Sequence, residues 1–161
     1  MYETVLLAYD GSHEGRMALR EGALLARRFD SKIFLLCVVA ESPGVRIGEA
    51  AYAGVVAHTR DAYAQLFEEA MERLRALGFD PRGRLVTGEP AAEIGACARE
   101  IGADLLVVGH RKRSLIERWW SGETGAYLVD HITCSLLIAR RTVSDEEFYA
   151  DFAAARPARG A

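Results

Sequence analysis

The sequence predicts an α/β protein built on a doubly wound parallel sheet, and two observations carry that prediction. Short continuous apolar runs recur at residues 4–9, 33–39 and 105–109; such runs suit strands buried on both faces. Between them lie longer segments whose apolar residues recur at spacings of three and four, the period of a helix with one buried side. Strands alternating with helices give a parallel sheet with helices on both faces. The 161 residues amount to one domain's worth of chain.

The first strand, Thr4-Val5-Leu6-Leu7-Ala8-Tyr9, is ended by Asp10-Gly11-Ser12, and Ser12 suits a helix N-cap. Ala18, Gly22, Leu25 and Phe29 then form one stripe at spacings of 4, 3 and 4. The second strand covers residues 32–39. Pro43, Gly44, Gly48 and Gly54 mark residues 41–55 as a flexible loop. Tyr63, Phe67, Ala70, Leu74 and Leu77 follow as the clearest helix, stopped by Gly78.

Residues 84–87 are a short strand, and Pro90 sits well in the first turn of the next helix. Ile94, Cys97, Ala98 and Ile101 supply its buried face, and Gly102 closes it. A strand over 104–109 leads through about a dozen loop residues to a helix near 124–131. Leu136-Leu137-Ile138-Ala139 is the last strand. Residues 1–141 therefore make the domain, and 142–161 a C-terminal extension. In it, Ser144 followed by Asp145, Glu146 and Glu147 announces a short helix to about Ala155, with a frayed end at 156–161.

Composition removes whole classes of function. Half the residues are hydrophobic and 27% are charged, the balance of a soluble globular protein. Twenty basic against twenty-three acidic side chains leave a net charge of -3, which argues against a nucleic-acid binder. No apolar stretch approaches the roughly 20 residues that span a bilayer, and Met1-Tyr2-Glu3-Thr4 does not start like a signal peptide. A cytoplasmic protein is expected. Cys37, Cys97 and Cys134 are odd in number and lack CxxC spacing, so they read as small core side chains in a reducing compartment.

The four histidines, His13, His58, His110 and His131, do not form a metal set by spacing, and no metal is expected. Asp10, Ser12 and His13 hold the residue types of a triad but stand too close together for its geometry. Of the pair Trp119-Trp120, core or dimer packing is the expected role. In an open parallel sheet, ligands bind beyond the carboxyl ends of the strands. Asp10-Gly11-Ser12 and the loop from Gly109 onward are the two segments placed to receive one.

Tyr9-Asp10-Gly11-Ser12, Gly88-Glu89-Pro90 and Asp104-Leu-Leu-Val-Val-Gly109 resemble the universal stress protein family, as does the ending from Tyr127 to Ile138. The likeness runs in order from about residue 2 to 141. It implies a Rossmann-like sheet of five parallel strands in the order 3-2-1-4-5 and a homodimer paired through the last strand, around Leu136 and Ile138. Many members bind ATP through a stretch written G-x2-G-x9-G-[S/T]. On this sequence its first and last glycines fall on Gly109 and Gly122, but Lys112 takes the middle place and Glu123 the hydroxyl place, with Thr124 beside it. Asp10 matches the acid near the adenosine, and Val38 matches the strand-end residue beside adenine. Ala8 and Val108 complete the set at the strand ends.

The base half of that site is intact and the phosphate half is altered. Glycine-rich loops cradle phosphates with backbone N–H groups. Lys112 in a left-handed conformation would cost about 1 kcal/mol or more. Glu123 at about 4 Å repels a phosphate charge by roughly 1 kcal/mol in water-like surroundings and up to roughly 4 near a protein surface. Arg111, Lys112, Arg113 and Arg118 either offset this or pair with Glu117 and Glu123. The expected cofactor is an adenine nucleotide, ATP or AMP. The other readings are an interaction protein of the same fold that takes no nucleotide, and a slow ATPase for which the sequence offers no catalytic base.

Overall fold

The computed structural model describes residues 1–40, 49–109, 131–140 and 142–155, and of 49–59 the backbone alone. The elements are β1 (Thr4–Tyr9), α1 (His13–Phe29), β2 (Lys32–Ala40), α2 (Glu49–Ala76), β3 (Arg82–Gly88), α3 (Pro90–Ile101), β4 (Leu105–Gly109), β5 (Ser135–Ala139) and α4 (Asp145–Ala154). The strands form one sheet in the order β3-β2-β1-β4-β5, and every pairing is parallel. The doubly wound architecture and the implied strand order are both present.

Side chains alternate across this sheet and divide the core in two. Val5, Leu7 and Tyr9 of β1 face one way, with Ile33, Leu35, Cys37, Leu105 and Val107, and pack on Ala23, Ala26, Met71 and Leu74 of α1 and α2. Leu6, Leu36, Leu106 and Val108 face the other way, onto Ala91, Ile94, Cys97 and Ala98 of α3. The second layer is thinner, because α3 presents small side chains to the strands.

The ends of the helices show local chemistry at work. Ser12 caps α1 by accepting the Gly15 N–H at 2.9 Å. The helix stops at Asp30, which adopts the left-handed conformation (φ 56°) that Asp tolerates better than most residues. Glu89 caps α3 by accepting from the Ala92 N–H at 2.8 Å, ahead of Pro90 in the first turn. Gly102 ends that helix at φ 62°, as predicted. Ser144 caps α4 through the Glu147 N–H, so the helix expected in the C-terminal extension forms.

Four expectations need correction. Residues 49–55 are not loop but the start of α2, because Glu49-Ala50-Ala51-Tyr52-Ala53 favours a helix and one glycine costs only about 1 kcal/mol. Phe29 ends the stripe of α1 but is 37% exposed, and its ring stands edge-on to Tyr2. β3 begins at Arg82, two residues before the predicted start at Arg84. Asp104 is not a strand residue; its Oδ2 accepts the N–H groups of Glu3 and Thr4 at 2.8 and 2.9 Å. The predicted helix at 124–131 keeps only His131 within the described residues, and Trp119, Trp120, His110 and residues 156–161 lie outside them.

Asp104 therefore ties the start of β1 to the start of β4 across the chain. The N–H donors of Thr4 and then Glu3 hold its carboxyl below the usual carboxylate range. A carboxyl depressed in the folded state stabilises above its unfolded value and ceases to as pH falls through its folded one. Asp104→Asn should therefore be less stable than the parent at pH 7, and the gap should narrow as pH falls below about 4. Urea midpoints at pH 7, 4 and 2.5 test this; a gap unchanged by pH would rule the ionised cap out.

Candidate functional site

Strand order reverses between β1 and β4: β2 and β3 lie to one side of β1, and β4 and β5 to the other. The crevice at the carboxyl end of these two strands is where an open α/β sheet takes a ligand. β1 runs out at Tyr9 and β4 at Gly109, so Asp10 and Gly109 flank the crevice. Ala8 and Val108 are register partners one step inside it.

Ala8, Val38 and Val108 belong to the α3 side of the sheet. Ala8 and Val38 are half-buried, whereas Val108 is 2% exposed and serves the core. Asp10 folds back on the turn that follows it, its Oδ1 accepting the Ser12 N–H at 2.9 Å. Gly11 takes φ 76° here, a conformation open to glycine at little cost. The carboxylate rests against the first turn of α1, where a Cβ on residue 15 would lie 2.5 Å from Oδ1. Gly15 thus makes room for Asp10, and the helix N-terminus favours its negative charge.

Gly109 meets the same turn from the other strand. A Cβ there would lie 2.6 Å from the carbonyl carbon and oxygen of Glu14 and 2.8 Å from the Gly15 nitrogen. The first turn of α1 is therefore wedged between the ends of β1 and β4. Arg16 secures it, donating from Nη1 to the Gly11 carbonyl at 2.7 Å. Sequence reading missed Gly15 and Arg16. A glycine in the first turn of a helix, against its propensity, was the available signal.

Beneath the site, burial pushes the Cys37 thiol up to about 12, with the Asp10 charge adding to the effect. Burial also raises the Tyr9 phenol, against the pull of Arg73 and Arg16. Neither group is poised for proton transfer or nucleophilic attack near neutral pH. Cys97 is fully buried and Cys134 half-buried, and burial raises both thiols. Among the described residues no three His, Cys, Asp or Glu side chains form a group able to hold a metal, and no helix is long and apolar enough to cross a membrane. Of the predicted contact residues, Ala8, Asp10, Val38, Val108 and Gly109 gather at the carboxyl edge. Arg111, Lys112, Gly122, Glu123 and Thr124 lie outside the described residues.

The profile of the universal stress protein family matches residues 1–140. The chain belongs to this family. A protein of Staphylococcus epidermidis assigned to the universal stress proteins is 27% identical over 150 residues, covering 91% of this chain and 89% of that one. Among solved structures, a universal stress protein in complex with cAMP superposes with a TM-score of 0.60 at 24% identity, over 86% of this chain and 97% of the other. A universal stress protein family member from Arabidopsis thaliana with AMP bound gives 0.56 at 20% identity, over 89% and 94%. At these identities the two structures establish the shared fold. In this universal stress protein, the profile ends one residue past β5, so α4 lies beyond the stretch it matches.

Proposed function

We propose that this protein is a small stress-response or signalling protein that binds an adenine nucleotide beyond the carboxyl ends of β1, β2 and β4. The observation that carries this reading is the placement of Asp10 and Gly109 on either side of the reversal in strand order. Half-buried Ala8 and Val38 beside it offer an apolar floor for a base. Universal stress proteins of the same fold hold AMP and cAMP. In sequence, Glu123 takes the place of the hydroxyl residue in the family's phosphate motif, and a carboxylate in that role would repel a triphosphate while leaving the adenosine pocket usable.

Calorimetric titration of nucleotide-free protein with AMP, cAMP and ATP tests this. AMP or cAMP should bind in the micromolar range and ATP more weakly, and Glu123→Ser should strengthen ATP binding several-fold. A variant that binds ATP no better than the parent removes the role given to Glu123. Failure of all three ligands to bind would favour the interaction protein of the same fold.

The same reading includes a homodimer through β5. Among the described residues that strand has β4 as its one neighbour, and Leu136 and Ile138 on its α3 side are half-buried. An edge strand of this kind invites pairing with a second copy. Sedimentation should show a dimer, with Leu136→Lys/Ile138→Lys monomeric. A parent that sediments as a monomer at all concentrations excludes this interface.

A further inference from the structure

We propose that residues 142–155 act as a detachable strap that clamps α1 from outside and so steadies the turn between β1 and α1. The clasp is Arg20. Its Nη1 donates to the Val143 carbonyl at 2.9 Å, its Nη2 pairs with the Asp145 carboxylate, and its guanidinium lies 5.5 Å from the centre of the Phe148 ring. Two turns along α1, Arg27 lies 5.2 Å from the Phe152 ring. Phe152 also stands edge-on to Phe79 at 5.9 Å. Phe148 is 3% exposed and Val143 8%, so these two side chains anchor the strap.

Two features make that seat releasable. The buried Nε of Arg27 has no hydrogen-bond partner, and burying a donor unpaired is costly. Release returns it to water and offsets part of the apolar burial that is lost. The Arg20–Asp145 pair lies at the surface, where salt screens it. A ten-residue helix such as α4 is marginal once undocked, so the released strap also unwinds. Docked and helical, or free and unwound, are its two states.

α1 connects the strap to the carboxyl edge of the sheet. One turn before Arg20, Arg16 holds the Gly11 carbonyl; one turn before that, Ser12 caps the helix. Glu14 and Gly15 are wedged against Gly109. Docking of the strap therefore restrains the helix whose first turn borders the candidate site. Ligand occupancy and strap docking then favour each other by the same factor. That consequence rests on the function proposed above, whereas the restraint itself can be read with no ligand present.

Amide hydrogen exchange followed by mass spectrometry on the full chain tests the restraint. In Arg20→Leu, which keeps the aliphatic packing, peptides over 145–154 should exchange about ten-fold faster than in the parent and those over 10–16 at least about three-fold faster. Peptides over 4–9 and 105–109 should stay unchanged. Asp145→Ala should move both regions the same way by about two-fold or three-fold. Raising salt from about 0.1 to 1 M should speed 145–154 in the parent and not in Arg20→Leu. A strap as protected in Arg20→Leu as in the parent overturns the clasp. A freed strap with 10–16 unchanged overturns the restraint. Faster exchange throughout β1 and β4 as well would make the segment an inseparable part of the core, and the strap proposal would fall.

Discussion

Leu106→Ala is expected to destabilise the fold by about 2–5 kcal/mol, the range for emptying a buried leucine site. Leu106 is 0% exposed, on a strand flanked on both sides. Its register partners are Leu6 in β1 and Leu136 in β5. What decides the magnitude is how well the neighbours can refill the space. On the α3 side they are Ala91, Ile94, Cys97 and Ala98, three of them too short to reach across. Closing the cavity would require α3 itself to move, and Glu89, Pro90 and Gly102 fix its ends. A domain of this size loses roughly 2–4 °C of melting temperature per kcal/mol, so thermal unfolding should fall by roughly 10 °C. Leu106→Met, which nearly conserves volume, should cost less than about 1.5 kcal/mol. A loss below about 1 kcal/mol for the alanine variant would mean that the thin layer is loosely packed and collapses freely.

How far the sequence discloses this architecture depends on the range of the interactions involved. The strands are legible because each is a short apolar run with side chains buried on both faces, as at Leu6 and Leu7 in β1. Alternation of strand and helix implies a parallel sheet, but the order β3-β2-β1-β4-β5 came from family resemblance alone. No local pattern says on which side of β1 the chain will return. Caps were legible where the residue is a usual one, Ser12 or Ser144, and missed at Glu89, whose longer side chain reaches the same N–H. Asp104 looks like strand in the sequence because the residues that follow it are apolar. Its partners, Glu3 and Thr4, lie a hundred residues away in sequence, beyond any periodicity. The first turns of α2 were hidden by Gly48 and Gly54, since breakers outweigh formers when only neighbours are weighed.

At the site, Asp10 was legible as the residue that ends an apolar run, and Gly109 likewise. The reason for a glycine at 109 was not, because it depends on how closely two elements distant in sequence approach. Gly109 is not among the glycines with positive φ, which are Gly11, Gly78 and Gly102 in the described residues. Space, not conformation, requires it.

Two substitutions of one chemical type should therefore act with opposite sign. Gly109→Ala places a Cβ 2.6 Å from the carbonyl carbon and oxygen of Glu14, closer than real Cβ atoms come to such neighbours. Those are backbone atoms of α1, locked by the Ser12 cap and by the Arg16 bond to Gly11, so no rotamer change relieves the clash. Either α1 or the end of β4 must shift, at about 1–3 kcal/mol for overpacking of this kind. Gly95→Ala, by contrast, sits mid-helix in α3 with only Arg99 Nη1 nearby, at an ordinary 3.6 Å. There the methyl group meets no obstacle and restricts the unfolded chain, so it should stabilise by about 0.5–1 kcal/mol. Chemical denaturation of both variants beside the parent measures the two signs directly. The shift forced by Gly109→Ala also moves the turn that carries Asp10, so this variant should bind AMP more weakly, whereas Gly95→Ala leaves AMP binding unchanged. A Gly109→Ala protein as stable as the parent would show that the first turn of α1 yields to β4 freely, and the wedge between the two strand ends would no longer explain the glycine.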